Sequence, residues 1–238
     1  MTGPAGRSGP LGPRSALAVV GGVLVAANVL DHRVLPDAPV PVAAGLVVAL
    51  LGVARAAGLT AADLGLARAT WACGVRVGAA AAAAVLAGAT VVLAVPALRD
   101  RVAPAEDSWA DVAVRVLLDV PFGTVVPEEL AFRGVTWALL RRSGSERSAT
   151  LVSSALFGLW HVLPALGGGP ANATVAGALG EGPVAVAARV AGTVLVTGLA
   201  GVVFCRLRIA SGSLLAPATL HWALNSIGVL LVRVAPVF

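Results

Sequence analysis

Residues 120–140 read VPFGTVVPEELAFRGVTWALL. The stretch is long enough to cross a bilayer as one helix, and it carries Glu128, Glu129 and Arg133 near its centre. Charges at that depth are costly in lipid, so they face the inside of a helical bundle or a wet cavity and mark function. This stretch therefore implies a membrane helix packed among others, with a polar site halfway along it. Pro127, one residue before the carboxylates, predicts a kink that frees backbone carbonyls locally.

The rest of the chain has the same character. Hydrophobic residues make up 58% of the 238 and charged residues 12%, about half the charged share of a soluble domain; mean hydropathy is +0.92. Further apolar runs lie over 15–30, 40–53, 75–98, 149–166, 184–205 and 214–232. The fold class is all-α: a polytopic transmembrane helical bundle of seven to eight spans around a polar intramembrane cavity, the eighth being a span or re-entrant segment within 164–183. The expected organisation is a disordered N-terminal tail (1–14), N-terminal membrane helices with an interfacial helix (15–117), and core helices (118–232). The interfacial helix is placed at Trp109–Leu118, with Asp111, Arg115 and Asp119 forming an ion-pair ladder at i, i+4 and i+8. The 15–30 run lacks a convincing cleavage site and reads as a first span, not a removed signal.

Every basic residue is Arg, with no Lys and no Tyr, a bias that fits GC-rich coding and a bacterial plasma membrane. The net charge of +5 comes with no basic run and no basic patch interleaved with aromatics, which excludes nucleic acid as a partner. Cys73 and Cys205 have no Cys-x-x-Cys spacing, which excludes a zinc ribbon or a disulfide framework. With the N-terminus inside, Arg7, Arg14, Arg55, Arg68, Arg141, Arg142, Arg147, Arg206 and Arg208 are cytoplasmic and Arg33, Arg99, Arg101 and Arg233 are outside, as the positive-inside rule requires.

Two more polar motifs interrupt apolar runs: Phe157-Gly158-Leu159-Trp160-His161 and His221-Trp222-Ala223-Leu224-Asn225. At 1.5 Å per residue, Glu128, His161 and His221 all fall about 12–18 Å from the cytoplasmic boundary. Three motifs at one depth can share a cavity. Glu128 and Glu129 are neighbours, so their side chains diverge by about 100° around a helix. One is expected in the cavity and the other on Arg133, its i+4 partner. His221 and Asn225 share a face by the same spacing. A lone His or Asn in such a helix often just bonds a neighbouring helix, but two adjacent carboxylates are not satisfied by packing. Trp137, Trp160 and Trp222 read as packing or cavity wall, and His32 as a loop residue outside the catalytic set.

At these residues the chain resembles the CAAX-protease and bacteriocin-processing (CPBP) family of intramembrane proteases, also described as the CAAX prenyl protease 2 / lysostaphin resistance protein A-like, or Abi, domain. Glu128-Glu129-x-x-x-Arg133, Phe157-x-x-x-His161 and His221-x-x-x-Asn225 stand in the family's order. So do the flanks Phe132-Arg133-Gly134 and Gly212-Ser213-Leu214. The resemblance implies a conical cavity open to the cytoplasm and hydrolysis of peptide bonds in a peptide or membrane-protein substrate. It implies Glu128 as the base that activates water, with Glu129, Arg133, His161, His221 and Asn225 as the other site residues. The residue types allow two versions. Glu128, His161 and His221, with Asn225 a weaker fourth, form a zinc set with an open position. In a metal-free version, His161 and Asn225 stabilise the oxyanion. The alternative function is a non-catalytic membrane immunity or scaffold protein using the same cavity. A proton-coupled transporter is disfavoured by the lack of an inverted repeat.

Overall fold

The computed structural model describes residues 9–102, 107–167 and 182–235. The first eight residues of the expected tail, Glu106 of the acidic segment, and most of the 164–183 segment expected to hold an eighth span lie outside them. Every regular element among the described residues is helical. In chain order these are α1 (Pro13–Val29), α2 (Pro39–Ala56), α3 (Trp71–Ala94), the single turn α4 (Pro96–Arg99), α5 over 109–143, α6 (Glu146–Trp160), α7 (Val162–Leu166), α8 (Pro183–Ser211) and α9 (Leu215–Val234). Six helices among the described residues are long and apolar enough to cross a membrane: Pro13–Val34, Pro39–Ala56, Arg68–Ala94, Glu146–Leu166, Pro183–Ser211 and Leu215–Val234. The seventh long helix, α5, owes its lower apolarity to the charges it carries.

Helix ends follow local chemistry. Pro13, Pro39 and Pro183 occupy first positions, where their missing N–H costs nothing. Ser108 caps α5 in a capping box with Asp111, and Ser145 caps α6 by accepting from the Ser148 N–H. Gly212, at φ +68°, closes α8 in the left-handed conformation that favours glycine.

Helix α5 departs from expectation in three ways. Residues 109–118 are not a separate interfacial helix, because helical backbone continues unbroken into the charged centre. The ladder is absent: Arg115 pairs with Asp107 at 3.0 Å, while Asp111 is engaged by the capping box. Third, the helix widens around its prolines. Pro121 lies within a π-helical stretch, Arg115–Val125, and a second, Leu130–Thr136, follows the carboxylates. A proline donates no N–H and crowds the carbonyl four residues back; in the same stretch the bonding is i→i+5, as from the Val126 N–H to Pro121 O.

The packing is close where side chains are small, as expected of helices that associate without a solvent-driven term. A Cβ on Gly158 would lie 2.6 Å from Val194 O, which brings α6 against α8. Gly78 on α3 meets Thr219 on α9 in the same way. One apolar core joins Val20, Leu24 and Leu50 of the first two helices to Phe132, Phe157, Phe204 and Leu220 of the later ones. The expected boundary at 117/118 therefore falls inside one helix that packs on a shared core. Antiparallel neighbours set the ends of the bundle. Leu11 N–H bonds Ala56 O and Leu214 N–H bonds Gly65 O at one end; Arg233 bonds Asp107 O and Arg189 bonds Ala165 O at the other.

Candidate active site

The two imidazoles and the acidic pair come from α5, α9 and the α6–α7 junction. Glu128 and Glu129 are both buried and point different ways. Glu129 Oε1 lies 3.2 Å from Arg133 Nη1, one turn on. Arg133 has no exposed surface at all; its guanidinium stands over the Phe157 ring at 3.9 Å and the Phe204 ring at 4.7 Å. Aromatic faces on both sides offset part of the cost of withdrawing that charge from water. The same Glu129 oxygen lies 2.9 Å from His221 Nδ1. Since a carboxylate only accepts, Nδ1 carries the proton, and a neutral His221 presents Nε2 as an acceptor. The His221 ring is stacked on Phe204, with centroids 5.0 Å apart.

Glu128 faces the other way, into a cavity of about 220 Å³ whose walls also include His161, Trp160, Pro127 and Leu46. The indole Nε1–H of Trp160 donates to Glu128 Oε1 at 2.8 Å. Asn28 on α1 donates to Trp160 O at 2.8 Å, which ties the first span to the site. Glu128 Oε2 is buried without a hydrogen-bond partner and lies 3.7 Å from His221 Nε2. A buried carboxylate oxygen that no protein donor satisfies has room to accept a hydrogen bond from a small guest such as water.

His161 ends α6, with φ −85° and ψ 5°, so the fifth span is not one continuous helix but breaks at its histidine. Its Nδ1–H donates to Phe157 O at 2.8 Å, and its ring packs edge-on against Phe157, centroids 4.7 Å apart. Nε2 is thereby the atom left for cavity chemistry. Asn225 is half-buried one turn beyond His221 on the same helix. Glu128, Glu129, Arg133 and His221 are drawn together, and His161 shares the cavity wall with Glu128.

A zinc site is favoured in one respect and opposed in another. Both imidazoles have their Nδ1–H groups held by oxygen acceptors, the arrangement that orients Nε2 toward a metal. Glu128 and His221 approach closely, but no group of three His, Cys, Asp or Glu side chains among the described residues is arranged to hold a metal ion. The expected Glu128–His161–His221 triad does not close, and a catalytic zinc needs three protein ligands.

Sequence reasoning missed four contributors. Trp160 is a hydrogen-bond donor to the acidic pair and not only wall. Asp31 and His32 sit on a π-helical turn, Leu30–Val34, that prolongs the first span, and both line the cavity. The available signal was the i, i+3, i+4 spacing of Asn28, Asp31 and His32, which puts three polar side chains on one face at the end of an apolar run.

A family model described as "Type II CAAX prenyl endopeptidase Rce1-like" matches residues 109–227, half of the chain. The match spans all seven named residues of the three motifs. No curated protein and no solved structure matches the chain.

Proposed function

The chain belongs to the type II CAAX prenyl endopeptidase Rce1-like family, and on that premise we propose that it is an intramembrane endopeptidase in which Glu128 activates the attacking water. The observation that carries this is the buried, unpartnered Glu128 Oε2 in a cavity shared with His161, 3.7 Å from His221 Nε2. A carboxylate within hydrogen-bond reach of a bound water can act as its general base. Trp160 holds the other oxygen, so rotation about the carboxyl is blocked and Oε2 stays aimed at the guest.

The step runs as follows. Water binds between Glu128 Oε2 and the Nε2 of His221; Glu128 takes one proton as the water oxygen bonds to the scissile carbonyl carbon. The carbonyl electron pair moves to oxygen, giving a tetrahedral oxyanion. Glu128 then returns the proton to the amide nitrogen, the C–N bond breaks, and the products are a carboxylate and an amine. His161 Nε2 lies on the cavity wall where the substrate must pass and, when protonated, donates to the oxyanion. Glu129 and Arg133 touch neither water nor substrate. They position His221 through its Nδ1–H and fix its tautomer, the part a buried carboxylate plays behind a catalytic histidine. No step is routed through a metal, since the third ligand is out of place. Asn225 stands one turn from His221 on the same helical face.

The protein belongs in a bacterial plasma membrane with its N-terminus cytoplasmic, on the arginine distribution. The test is a comparison of new peptide ends in membranes from cells producing the wild-type protein or Glu128→Gln. Ends present with the wild type and missing with the variant are expected; identical sets would overturn the assignment.

A further inference from the structure

We propose that Asn28, on the first span and outside the residues 109–227 that the family model matches, is a positioning residue for the reaction: it fixes Trp160, and through Trp160 the carboxylate of Glu128. This rests on the endopeptidase reading of Glu128, and it extends the site to a helix that carries none of the three motifs.

The sequence leaves the Trp160 carbonyl short of a partner. In an α-helix that oxygen accepts from the N–H four residues on. Four residues on from Trp160 stands Pro164, which has no N–H. The helix also breaks at His161, at φ −85° and ψ 5°. Asn28 Nδ2 donates to the Trp160 carbonyl at 2.8 Å, across 132 positions of sequence. The last turn of α6 is thereby held to α1 at the residue whose indole reaches the acidic pair. Trp160 Nε1–H donates to Glu128 Oε1 at 2.8 Å. One hydrogen bond joins Asn28 to Trp160 and one joins Trp160 to Glu128, and the second leaves Glu128 Oε2 for the guest.

The backbone that carries the amide is held as well. His32, one turn on, brings Nδ1 to 3.1 Å from Asn28 O on the π-helical turn Leu30–Val34. Asn28 is 9% exposed, and its own Oδ1 is buried without a hydrogen-bond partner. A buried polar atom left unpaired costs stability, and an apolar residue of like shape removes that cost. The amide therefore adds little net stability. Its effect is geometric: it sets where the Trp160 indole stands, and with it Glu128 Oε1. Stability and turnover should come apart at this position.

Asn28→Leu keeps the volume and removes the donor. In purified protein, kcat is expected to fall about 2- to 12-fold, the worth of one neutral hydrogen bond, with KM and the unfolding midpoint close to those of the wild type. In a Trp160→Phe background the same substitution should have no further effect, because Asn28 acts through the indole; a merely structural residue would lower kcat by the same factor in both backgrounds. A second readout needs no turnover. In protein carrying isotope-labelled tryptophan, the Nε1–H proton resonance of Trp160 is assigned by its loss in Trp160→Phe. It is expected to move in the same direction in Asn28→Leu as in Glu128→Gln. Where Asn28→Leu does not reach the membrane folded, Asn28→Ala carries the same comparisons. An unmoved resonance, or equal losses of kcat in the two backgrounds, overturns the proposal. A moved resonance in a protein whose Glu128→Gln variant cleaves as the wild type does would fault the endopeptidase reading and leave the link from Asn28 to Glu128 standing.

Discussion

Replacing Arg133 by Met isolates the part played by the buried ion pair. Arg133 has no solvent exposure and the Glu129 side chain is 2% exposed, with Nη1 and Oε1 3.2 Å apart. Arg133→Met keeps the volume over Phe157 and Phe204 but leaves the Glu129 carboxylate buried with only His221 beside it. Removing one member of a buried pair costs about 3–5 kcal/mol. At about 2–4 °C per kcal/mol for a chain of this length, the thermal midpoint should fall by about 6–20 °C. The double variant Glu129→Gln/Arg133→Met removes the stranded charge and should recover at least half of that loss. Activity should not recover, because His221 Nδ1 then lacks its carboxylate. A hydrogen bond to a charged group is worth about 1.5–3 kcal/mol, or about 10- to 150-fold in rate. The assay is the unfolding midpoint in one detergent, followed by tryptophan fluorescence, with peptide hydrolysis measured on the same samples. Arg133→Met melting within about 2 °C of wild type, a shift of less than about 1 kcal/mol, would refute the reasoning. So would a double variant less stable than the single one.

Trp160→Phe removes the donor to Glu128 Oε1 while keeping an aromatic ring; kcat should fall by about 10- to 150-fold, the worth of one charge-assisted hydrogen bond, with KM little changed. Gly158→Ala forces a Cβ to 2.6 Å from Val194 O, backbone that cannot swing aside, and overpacking of about 1–3 kcal/mol should appear as a lower midpoint with the cavity residues untouched. Burial alone would raise the pKa of Asp63, but hydrogen bonds from the Thr60 backbone and side chain and the Arg142 guanidinium outweigh it and hold the carboxyl below its ordinary value. A depressed folded pKa contributes stability that is complete above the unfolded value and lost as pH falls through the folded one. Wild type should therefore lose more thermal stability than Asp63→Asn between about pH 5 and pH 3.

Much of the fold was legible because lipid leaves few choices: long apolar runs must be helices, and each of the seven apolar runs has a helix of matching position among the described residues. The separation of Glu128 from Glu129 was legible too, since 100° of divergence on one helix and an i+4 arginine admit few arrangements. The rest depended on features that helical periodicity does not encode. A π-helical stretch changes which residues share a face, so the ladder expected at 111, 115 and 119 was drawn on an α-helical wheel that α5 does not follow. His32 read as loop, whereas the helix widens over Leu30–Val34 and carries it and Asp31 to the cavity wall. Trp160 was read as wall because an indole is mostly apolar surface; whether its N–H meets a carboxylate depends on a contact 32 residues away in sequence.

The central claim is that Glu128 takes the proton of the attacking water. It is tested most directly with purified protein in micelles, by the initial rate of hydrolysis of a mixture of internally quenched peptides. The wild type should hydrolyse peptides in the mixture, and Glu128→Gln, folded and with an unchanged unfolding midpoint, should be slower by about 10²–10⁴-fold, the contribution of a general base. Hydrolysis by that variant at the wild-type rate would contradict the account.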